Sequence, residues 1–447
     1  MSRDDSICII GAGAGGLSAA KFLLENGYTN ITIIEKNERV GGKCDSPVID
    51  GITYDMGALE VTPDYPIVLG LIEKYSLEMT GIGGLESIDS VTGAIAPFSD
   101  LFKNDKKLEL LKDVIEYFTL LVTSSPAIGS AGFRHLNLDV YDYLCKPFGQ
   151  FLRDAKLEAL NEAFVVPITC YGYGFLDEIP TAYAMKYLDL KNMKMMVQDM
   201  VEIGTSKWPQ RIVTGYQSVL TALANDLKEQ KVDIVLGAQI DEVVRGDNVM
   251  VSYKTKDGSR KKSFKTLICA SLLTSEGLGF MKLSAEEQRV FGHVQLRNYY
   301  TSLCNLPDIG REKIGTWAFC TADGKIVPPA DGNPCMIIKT SNTTDLAVVY
   351  TNTEGAVDAD KIEEQIKTSF RAMTTPQRVS KIYQTKHWNY FAHVDGTQLK
   401  SGFYDKLEAL QGQHSTYYAG ALLNFEDVEK VMEYSKKLVR EHFPRRS

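Results

Sequence analysis

The chain is 447 residues long, too long for one ordinary hydrophobic core, so two or three domains are expected. With 44% hydrophobic and 24% charged residues, its composition is that of a soluble globular protein. A formal net charge of −8 argues against nucleic acid as a partner. The eight cysteines form no Cys-x-x-Cys pair and the six histidines form no His-x-x-x-His pair, so we expect reduced thiols and no metal site.

The beginning of the chain is short and polar and does not resemble a signal peptide. No apolar run reaches the ~18 residues that a membrane span needs. We therefore expect a cytoplasmic protein without a transmembrane segment, and the sequence does not predict its oligomeric state.

The first predicted elements are a strand, a glycine-rich turn, a helix and a second strand. The β-branched run Ile7–Ile10 predicts a buried strand, and residues 17–24 predict a helix. The second strand, Ile31–Ile34, ends directly before Glu35. The turn has the pattern Gly-x-Gly-x-x-Gly, formed by Gly11, Gly13 and Gly16.

Each part of this unit suits the binding of a dinucleotide. Gly11 permits the tight turn, Gly13 lets the backbone approach a pyrophosphate, and Gly16 lets the helix pack closely on the strand. The helix N-terminus contributes free N–H groups and a partial positive charge. Glu35 lies at about the spacing of an acid that accepts hydrogen bonds from ribose hydroxyls.

The next predicted elements are helices. Apolar residues at helical spacing predict a helix from residue 106 to 121, which should stop before Pro126. Amphipathic patterns predict further helices over about 140–165 and 181–201. Within the last of these, Lys186 is expected to be a surface lysine.

The rest of the chain mixes strands and helices. A helix is predicted over residues 219–228, and short strands follow, ending with a strand at 266–270. A capping box at Ser284 opens another helix, and strand-like runs with one helix fill residues 293–385. The last helix is expected to open at about Asn424 and to run to about residue 443.

Three segments resemble the flavin amine oxidase and protoporphyrinogen oxidase-like family. Residues 35–43 match its E-x-x-x-R-x-G-G-[RK] run, residues 54–58 its D-x-G element, and residues 416–420 its last strand. The resemblance implies an α/β fold with a Rossmann-type FAD-binding domain of the amine oxidase-like kind, a mixed-sheet substrate domain and a helical cap. The expected FAD is non-covalent, because no cysteine follows Cys335.

The resemblance also implies domain bounds and cofactor contacts. The expected domains are an FAD-binding domain (1–84, 210–280 and 384–447), a substrate-binding sheet domain (85–105 and 281–383) and a helical cap (106–209). The residues expected at FAD are Gly11, Gly13, Ala14, Gly15, Gly16, Glu35, Lys36, Gly42, Lys43, Gly57, Ala58, Leu59, Ile240, Gly420, Asp427 and Val428.

Further blocks resemble the bacterial FAD-dependent polyunsaturated fatty acid isomerases, which form conjugated linoleic acid. These blocks are residues 170–174 (Cys-Tyr-Gly-Tyr-Gly), 179–189, 387–394 and 402–412. The resemblance implies that a hydride passes from a bis-allylic methylene to flavin N5 and returns at another carbon, which moves a double bond into conjugation. Such a reaction requires no side-chain acid or base, so no catalytic residue is assigned. The expected substrate is a small lipid, a free unsaturated fatty acid.

Several assignments stay open at this point. Tyr171, Tyr173, Phe175, Tyr390 and Phe425 are expected to line the substrate site. His387 and His393 are expected to form local hydrogen bonds, and the arginine that would hold a substrate carboxylate could be Arg134, Arg211 or Arg297. The alternative function is an FAD-dependent oxidase or desaturase, although residues 298–302 lack the lysine usual in amine oxidases. A flavin-binding protein without turnover is a third possibility.

Overall fold

The computed structural model describes residues 4–103, 105–201, 209–375 and 378–445. Its helices, in chain order, are α1 (Ala14–Glu25), α2 (Pro66–Lys74), α3 (Asp105–Ile128), α4 (Phe148–Asp154), α5 (Glu158–Ala163), α6 (Thr181–Tyr187), α7 (Leu190–Val201), α8 (Gln217–Glu229), α9 (Ala285–Phe291), α10 (Ala359–Ala372), α11 (Gly396–Lys400), α12 (Phe403–Ala409) and α13 (Val428–His442). Its strands are β1 (Ile7–Ile10), β2 (Ile31–Ile34), β3 (Val48–Ile49), β4 (Ile52–Thr53), β5 (Glu60–Val61), β6 (Met79–Gly81), β7 (Gly84–Asp89), β8 (Ile95–Pro97), β9 (Gln210–Ile212), β10 (Asp233–Val235), β11 (Gln239–Arg245), β12 (Val249–Thr255), β13 (Gly258–Phe264), β14 (Thr266–Cys269), β15 (Gln295–Asn305), β16 (Gly315–Ala322), β17 (Lys325–Ile326), β18 (Pro334–Lys339), β19 (Leu346–Thr353), β20 (Lys381–His393) and β21 (Thr416–Tyr418).

A parallel sheet carries the predicted dinucleotide unit. Its strand order is β10-β2-β1-β14-β21. Strands β1, β2 and β14 are buried along their whole length, which is why their sequences are uninterrupted apolar or β-branched runs. Helix α13 packs against α1, where the Ser435 hydroxyl donates to the Gly15 carbonyl at 3.0 Å. The first and last parts of the chain therefore pack together around this parallel sheet.

The second large sheet is mixed and has eight strands. Its order is β20-β15-β19-β18-β16-β7-β8, with β17 paired to β16. Helix α10 covers one face, where Ile362, Ile366 and Phe370 pack in a buried cluster with Tyr300 and Trp317. Alternate residues of β15 face the opposite side of the sheet. There the Tyr299 hydroxyl donates to the Cys170 carbonyl, and the Thr301 hydroxyl donates to the Met56 carbonyl.

The helical segment, residues 105–201, departs from the sequence prediction at three places. The helical pattern over about 140–165 forms a 3-10 turn, Asp142–Cys145, and the two short helices α4 and α5. Helix α3 does not stop before Pro126 but continues to Ile128. Proline leaves the Val122 carbonyl without its usual helical donor, and Val122 is 60% exposed, so water can satisfy that carbonyl. The predicted helix 181–201 is two helices, because Asp189 interrupts it and its carboxylate accepts from the backbone N–H of Asn192 at 3.0 Å.

The prediction of a surface lysine at position 186 was wrong. Lys186 is 4% exposed, and its ammonium donates to the backbone carbonyls of Ile128 (2.9 Å), Ser130 and Gly132 (3.0 Å). Burial, together with the neighbouring Lys430, lowers the pKa of Lys186 to about 7. This side chain fixes the end of α3 beside a groove of about 790 Å³ between the helical segment and α13.

Replacing Lys186 by methionine is expected to lower the free energy of unfolding by roughly 2–4 kcal/mol, because three buried carbonyls lose their donor. The matched control is Lys191→Met, since Lys191 is exposed and its ion pair with Asp64 is worth less than about 1 kcal/mol. Urea denaturation followed by tryptophan fluorescence measures both variants. Equal losses in the two would contradict a structural role for Lys186.

The division into three domains stays a prediction. Residues 202–208 of the predicted cap lie outside the described residues. None of the described helices combines the length and apolar character needed to cross a bilayer.

Candidate active site

The glycine-rich turn after β1 has the geometry that its sequence predicts. Gly11 has φ +104°, and a Cβ there would lie 2.7 Å from the Ala270 carbonyl oxygen at the end of β14. A Cβ on Gly16 would overlap the Gly11 carbonyl oxygen. Only glycine at both positions lets α1 begin directly over the ends of β1 and β14.

Glu35 at the end of β2 is held in a fixed orientation. One carboxylate oxygen accepts from the Ala12 N–H at 2.8 Å, and the other accepts from the backbone and side chain of Asn37 at 2.8 and 2.7 Å. The Ala238 N–H donates to the Glu35 carbonyl at 2.9 Å. This bond places the start of β11, which carries Ile240, beside the carboxylate predicted to meet ribose.

A second glycine loop lies against the first. The Gly41 N–H donates to the Ala12 carbonyl at 2.9 Å, and a Cβ on Gly42 would lie 3.1 Å from the Gly13 Cα. Lys43, predicted to meet phosphate or ribityl oxygens, binds the Glu426 carboxylate at 2.8 Å. Two stretches of backbone without side chains thus face each other where a pyrophosphate is expected.

The D-x-G element packs on this second loop. A Cβ on Gly57 would overlap the Lys43 carbonyl oxygen, and the Ala58 N–H donates to the same oxygen at 3.3 Å. Leu59 follows and is buried. Of the predicted cofactor residues, Lys36 is the one whose side chain is exposed, directly after Glu35.

The end of the chain returns to the same place. Gly420 has φ +128°, and its Cα lies 3.5 Å from the position of a Cβ on Gly15. Asp427 caps α13, with one oxygen accepting from the Lys430 N–H at 2.9 Å and the other from the Tyr65 hydroxyl. Burial raises the pKa of Asp427. The first turn of α13, beginning at Val428, therefore starts beside the first glycine loop, where the Val431 side chain lies 3.4 Å from the position of a Cβ on Gly15.

These residues fit FAD. The bare glycine backbone, the α1 N-terminus and the Glu35 carboxylate lie at the carboxyl ends of β1 and β2, the usual place for a dinucleotide in an open parallel sheet. Gly57, Gly420 and the α13 N-terminus extend the same cradle. The assignment of individual contacts to FAD stays a prediction.

A cluster of buried aromatic rings lies next to the cradle. Tyr173 is at its centre, 4.8 Å from the Phe425 ring and 5.7 Å from the Tyr390 ring. The Lys43 ammonium lies 5.5 Å from the Tyr390 ring, which joins the cluster to the second glycine loop. The structure thus brings together three of the five predicted substrate-lining residues. We call the set of Tyr173, Tyr187, Tyr299, Tyr390, Phe391 and Phe425 the aromatic cluster.

The other two predicted lining residues lie beside the cluster. The Tyr171 hydroxyl donates to Glu60 at 2.5 Å. The Phe175 ring lies 5.3 Å from the Arg297 guanidinium. Neither ring contacts those of Tyr173, Tyr390 or Phe425 among the described ring pairs.

The Tyr-Gly-Tyr-Gly segment reaches the cluster because its glycines lie directly on β15. Gly172 has φ +85°, and a Cβ there would lie 2.7 Å from the Tyr299 ring. Gly174 has φ +105°, which favours glycine, and a Cβ there would lie 3.5 Å from Arg297 Nε, an ordinary contact distance. The alternation of tyrosine and glycine therefore places bare backbone on the sheet and points Tyr173 inward.

A family model for flavin-containing amine oxidoreductases matches residues 14–275, more than half of the chain. The chain belongs to this family. The resemblance read from residues 35–43 and 54–58 is thereby confirmed, and FAD is supported as the cofactor of this flavin amine oxidoreductase.

Curated relatives match the oxidoreductase over nearly its whole length. The FAD-dependent oxidoreductase dpasF of Apiospora sacchari is 24% identical over 93% of this chain and 88% of its own. The polyenoic fatty acid isomerase of Ptilota filicina is 22% identical over 98% of this chain and 95% of its own. The solved CLA-producing fatty acid isomerase from P. acnes is 23% identical with a TM-score of 0.84, covering 99% of this chain and 100% of that one. That last likeness shows a shared fold.

The two histidines near the site bond locally, as expected. The ring of His387 lies 2.7 Å from the Asn298 side-chain oxygen. His393 Nδ1 lies 2.7 Å from the Phe391 carbonyl, and burial lowers the pKa of His393 to about 4. His393 is therefore neutral at neutral pH in this flavin amine oxidoreductase and donates to that carbonyl.

Sequence reasoning missed three members of the aromatic cluster. Tyr187 stacks on Phe425 at 5.5 Å, Tyr299 lies 5.3 Å from Tyr390, and Phe391 lies 5.4 Å from Tyr173. The period of two along β15 could have indicated that Tyr299 and Arg297 share a face. Nothing in the local sequence distinguishes Tyr187 from an ordinary core residue.

Proposed function

We propose that this protein is an FAD-dependent isomerase of polyunsaturated fatty acids that moves a double bond into conjugation, of the type that converts linoleic acid to conjugated linoleic acid. The observation that carries the proposal is the buried aromatic cluster between the FAD cradle and the face of β15. An acyl chain needs such an apolar surface, and aromatic rings suit the binding of unsaturated carbons. The fatty acid isomerases among the relatives support the same substrate class.

Two of the four tyrosines of the cluster can present an apolar surface because their hydroxyls bond to backbone. The Tyr299 hydroxyl donates to the Cys170 carbonyl at 2.6 Å, and the Tyr173 hydroxyl donates to the Glu426 carbonyl at 3.4 Å. These two hydroxyls are thereby paired, and the wall that the rings form with the rest of the cluster is apolar.

The chemistry divides between cofactor and chain. Bound FAD supplies a hydride acceptor that can also return the hydride. The chain holds one bis-allylic methylene and excludes water, by proximity and orientation from Tyr173, Tyr390 and Phe425. Hydride leaves one carbon of the substrate and enters another, so the reaction has no net change in oxidation state and consumes no oxygen.

The FAD is proposed to be held without a covalent bond. Cys44 is the cysteine next to the second glycine loop, and burial raises the pKa of its thiol well above the ordinary range. A thiol kept protonated in this way is a poor nucleophile toward the flavin ring.

Anaerobic incubation of the FAD-loaded protein with linoleic acid tests the proposed function. The expected result is growth of conjugated-diene absorbance in the ultraviolet over many turnovers, with the flavin visible spectrum oxidised at the end. Product that appears only with oxygen, or oxygen consumption driven by an amine, would overturn the proposal.

An FAD-dependent oxidase or desaturase is the second candidate, favoured by the relatives named as FAD-dependent oxidoreductases. It predicts that anaerobic substrate bleaches the flavin once and that oxygen restores it. Bound FAD with neither bleaching nor diene formation would indicate a flavin-binding protein without turnover.

A further inference from the structure

Arg297 is a buried cation that uses one of its three guanidinium nitrogens in a hydrogen bond to the described residues. It is 8% exposed and lies on β15, two residues before Tyr299 of the aromatic cluster. Its Nη1 donates to the Glu178 carboxylate at 3.0 Å. Its Nε and Nη2 are buried and have no partner among the described residues. Leaving these two nitrogens of a buried guanidinium, which carry three N–H groups, unpaired is costly, which indicates that they bind an acceptor that the described residues do not supply.

The surroundings of Arg297 hold this unpaired edge in place. The Phe175 ring lies 5.3 Å from the guanidinium carbon, and Glu178 fixes the Nη1 side. Arg297 Nε lies 3.5 Å from the position that a Cβ on Gly174 would take, so residue 174 places no side chain over that edge. Nε and Nη2 form the side of a guanidinium that binds a carboxylate with two parallel hydrogen bonds.

A second unpartnered group lies on the same face of the sheet. Asn352 is 3% exposed, and neither its side-chain nitrogen nor its side-chain oxygen has a partner among the described residues. It pairs with Tyr299 across β15 and β19, so it is the diagonal neighbour of Arg297. Two buried side chains with unpaired donors therefore lie on one face of the sheet, next to Tyr299 of the aromatic cluster.

We infer that Arg297 anchors the carboxylate of the acyl substrate through Nε and Nη2, with the Asn352 amide as an additional donor. The inference rests on the proposed function. It also selects one of the three arginines that the sequence offered as carboxylate anchors. Arg134 is exposed and lines the groove beside α13, and Arg211 has an unpaired Nε but uses Nη2 on the Thr340 carbonyl, so neither presents a buried, unpaired Nε–Nη2 edge.

The direction of β15 then orients the acyl chain. From Arg297, the same strand face continues with Tyr299 and reaches Thr301, whose hydroxyl donates to the Met56 carbonyl in the D-x-G element. Four residues of strand span about 13 Å. That is the length scale from the carboxyl group to the middle of a long-chain fatty acid. A carboxylate at Arg297 therefore places mid-chain carbons beside the FAD cradle.

The test compares Arg297→Gln and Arg297→Lys with the wild type and with Arg289→Gln, a change of an exposed arginine on α9. Stearic acid, which has no double bond to react, is titrated against the FAD-loaded proteins, and the shift of the flavin spectrum gives Kd. Arg297→Gln is expected to weaken stearate binding roughly 10- to 100-fold, as for a lost charged hydrogen-bond pair. Arg297→Lys keeps the charge but loses the two parallel donors, so its Kd for stearate should lie between those of the wild type and Arg297→Gln. The Kd of Arg289→Gln should equal that of the wild type.

Methyl stearate separates anchoring from a general structural effect, because the ester cannot accept a charge-assisted pair. The anchor predicts that Arg297→Gln changes methyl ester binding by less than about 3-fold and that KM for linoleate rises more than kcat falls. If Arg297→Gln weakened the binding of stearic acid and methyl stearate equally, or left the Kd for stearate unchanged, the inference would be overturned. If Arg297→Gln does not fold, the Kd values of Arg297→Lys for stearic acid and methyl stearate test the inference instead. A wild type that binds stearate through Arg297 but forms no diene would instead count against the proposed reaction alone.

Discussion

Purified Gly16→Ala protein is expected to contain less than about a tenth of the wild-type flavin, since a loss of only ~1.4 kcal/mol of binding energy has that effect below saturation. The added methyl group would overlap the Gly11 carbonyl oxygen, which is backbone and cannot rotate away. Either α1 moves off the sheet or the turn at Gly11 opens. Both changes displace the helix N-terminus that is predicted to hold the pyrophosphate.

Gly70→Ala is the matched control, because Gly70 is also inside a helix, α2, with nothing within 4 Å of an added Cβ. It should keep its flavin and gain up to ~1 kcal/mol of stability from the better helix former. Flavin released by acid precipitation, divided by protein concentration, measures both variants and also shows whether the flavin is non-covalent. Full flavin content in Gly16→Ala would contradict the position assigned to the cofactor.

The dinucleotide unit was predictable from the sequence because its requirements are local. Strand β1, the turn through Gly11 and Gly13, and strand β2 follow one another within about thirty residues, and the contacts that favour glycine at positions 13 and 16 lie inside or just after that segment. The capping box at Ser284 was predictable for the same reason, and both of its hydrogen bonds are present.

Burial was less predictable, because it depends on contacts between distant segments. Lys186 follows a mixed pattern typical of an exposed helix, yet its ammonium lies under a loop more than fifty residues away in sequence. Helix α3 continues through Pro126 because tertiary packing of Leu121 and Ile128 outweighs the bond lost at Val122. A single sequence contains the residues of such contacts but does not indicate which of them meet.

The candidate substrate site was predictable from the sequence only in part. Tyr173, Tyr390 and Phe425 could be nominated from motifs, but they meet only because the segment at 171–174, β20 and the chain before α13 converge on β15. The sequence left three arginines equal as carboxylate anchors. Only the unpaired Nε and Nη2 of Arg297 distinguish it, and hydrogen-bond partners of a side chain are a property of the folded state.

Replacing Glu287 by glutamine is expected to lower the free energy of unfolding by about 3–5 kcal/mol at neutral pH. Glu287 is fully buried and binds Arg245 through both oxygens, at 2.6 and 2.7 Å, while the Tyr418 hydroxyl donates to it at 2.5 Å. The variant keeps the shape but leaves the Arg245 charge buried without a counter-charge. Because Arg245 is on β11 and Tyr418 on β21, the loss would loosen contacts between separate segments of the chain.

The pH dependence of stability identifies this ion pair. Burial alone would raise the pKa of Glu287, but hydrogen bonds from Arg245 and Tyr418 outweigh it and lower the pKa from 4.5 to about 2. A lowered pKa in the folded state means that the carboxylate stabilises the protein fully above pH 4.5 and that this contribution disappears as the pH falls through about 2. Denaturation midpoints of wild type and Glu287→Gln should therefore converge as the solution is acidified from neutral toward pH 2. Glu286→Gln, a change of the exposed neighbouring carboxylate, should follow the wild type at every pH. A constant gap between wild type and Glu287→Gln across that range would mean that packing, and not the charge on Glu287, joins these segments.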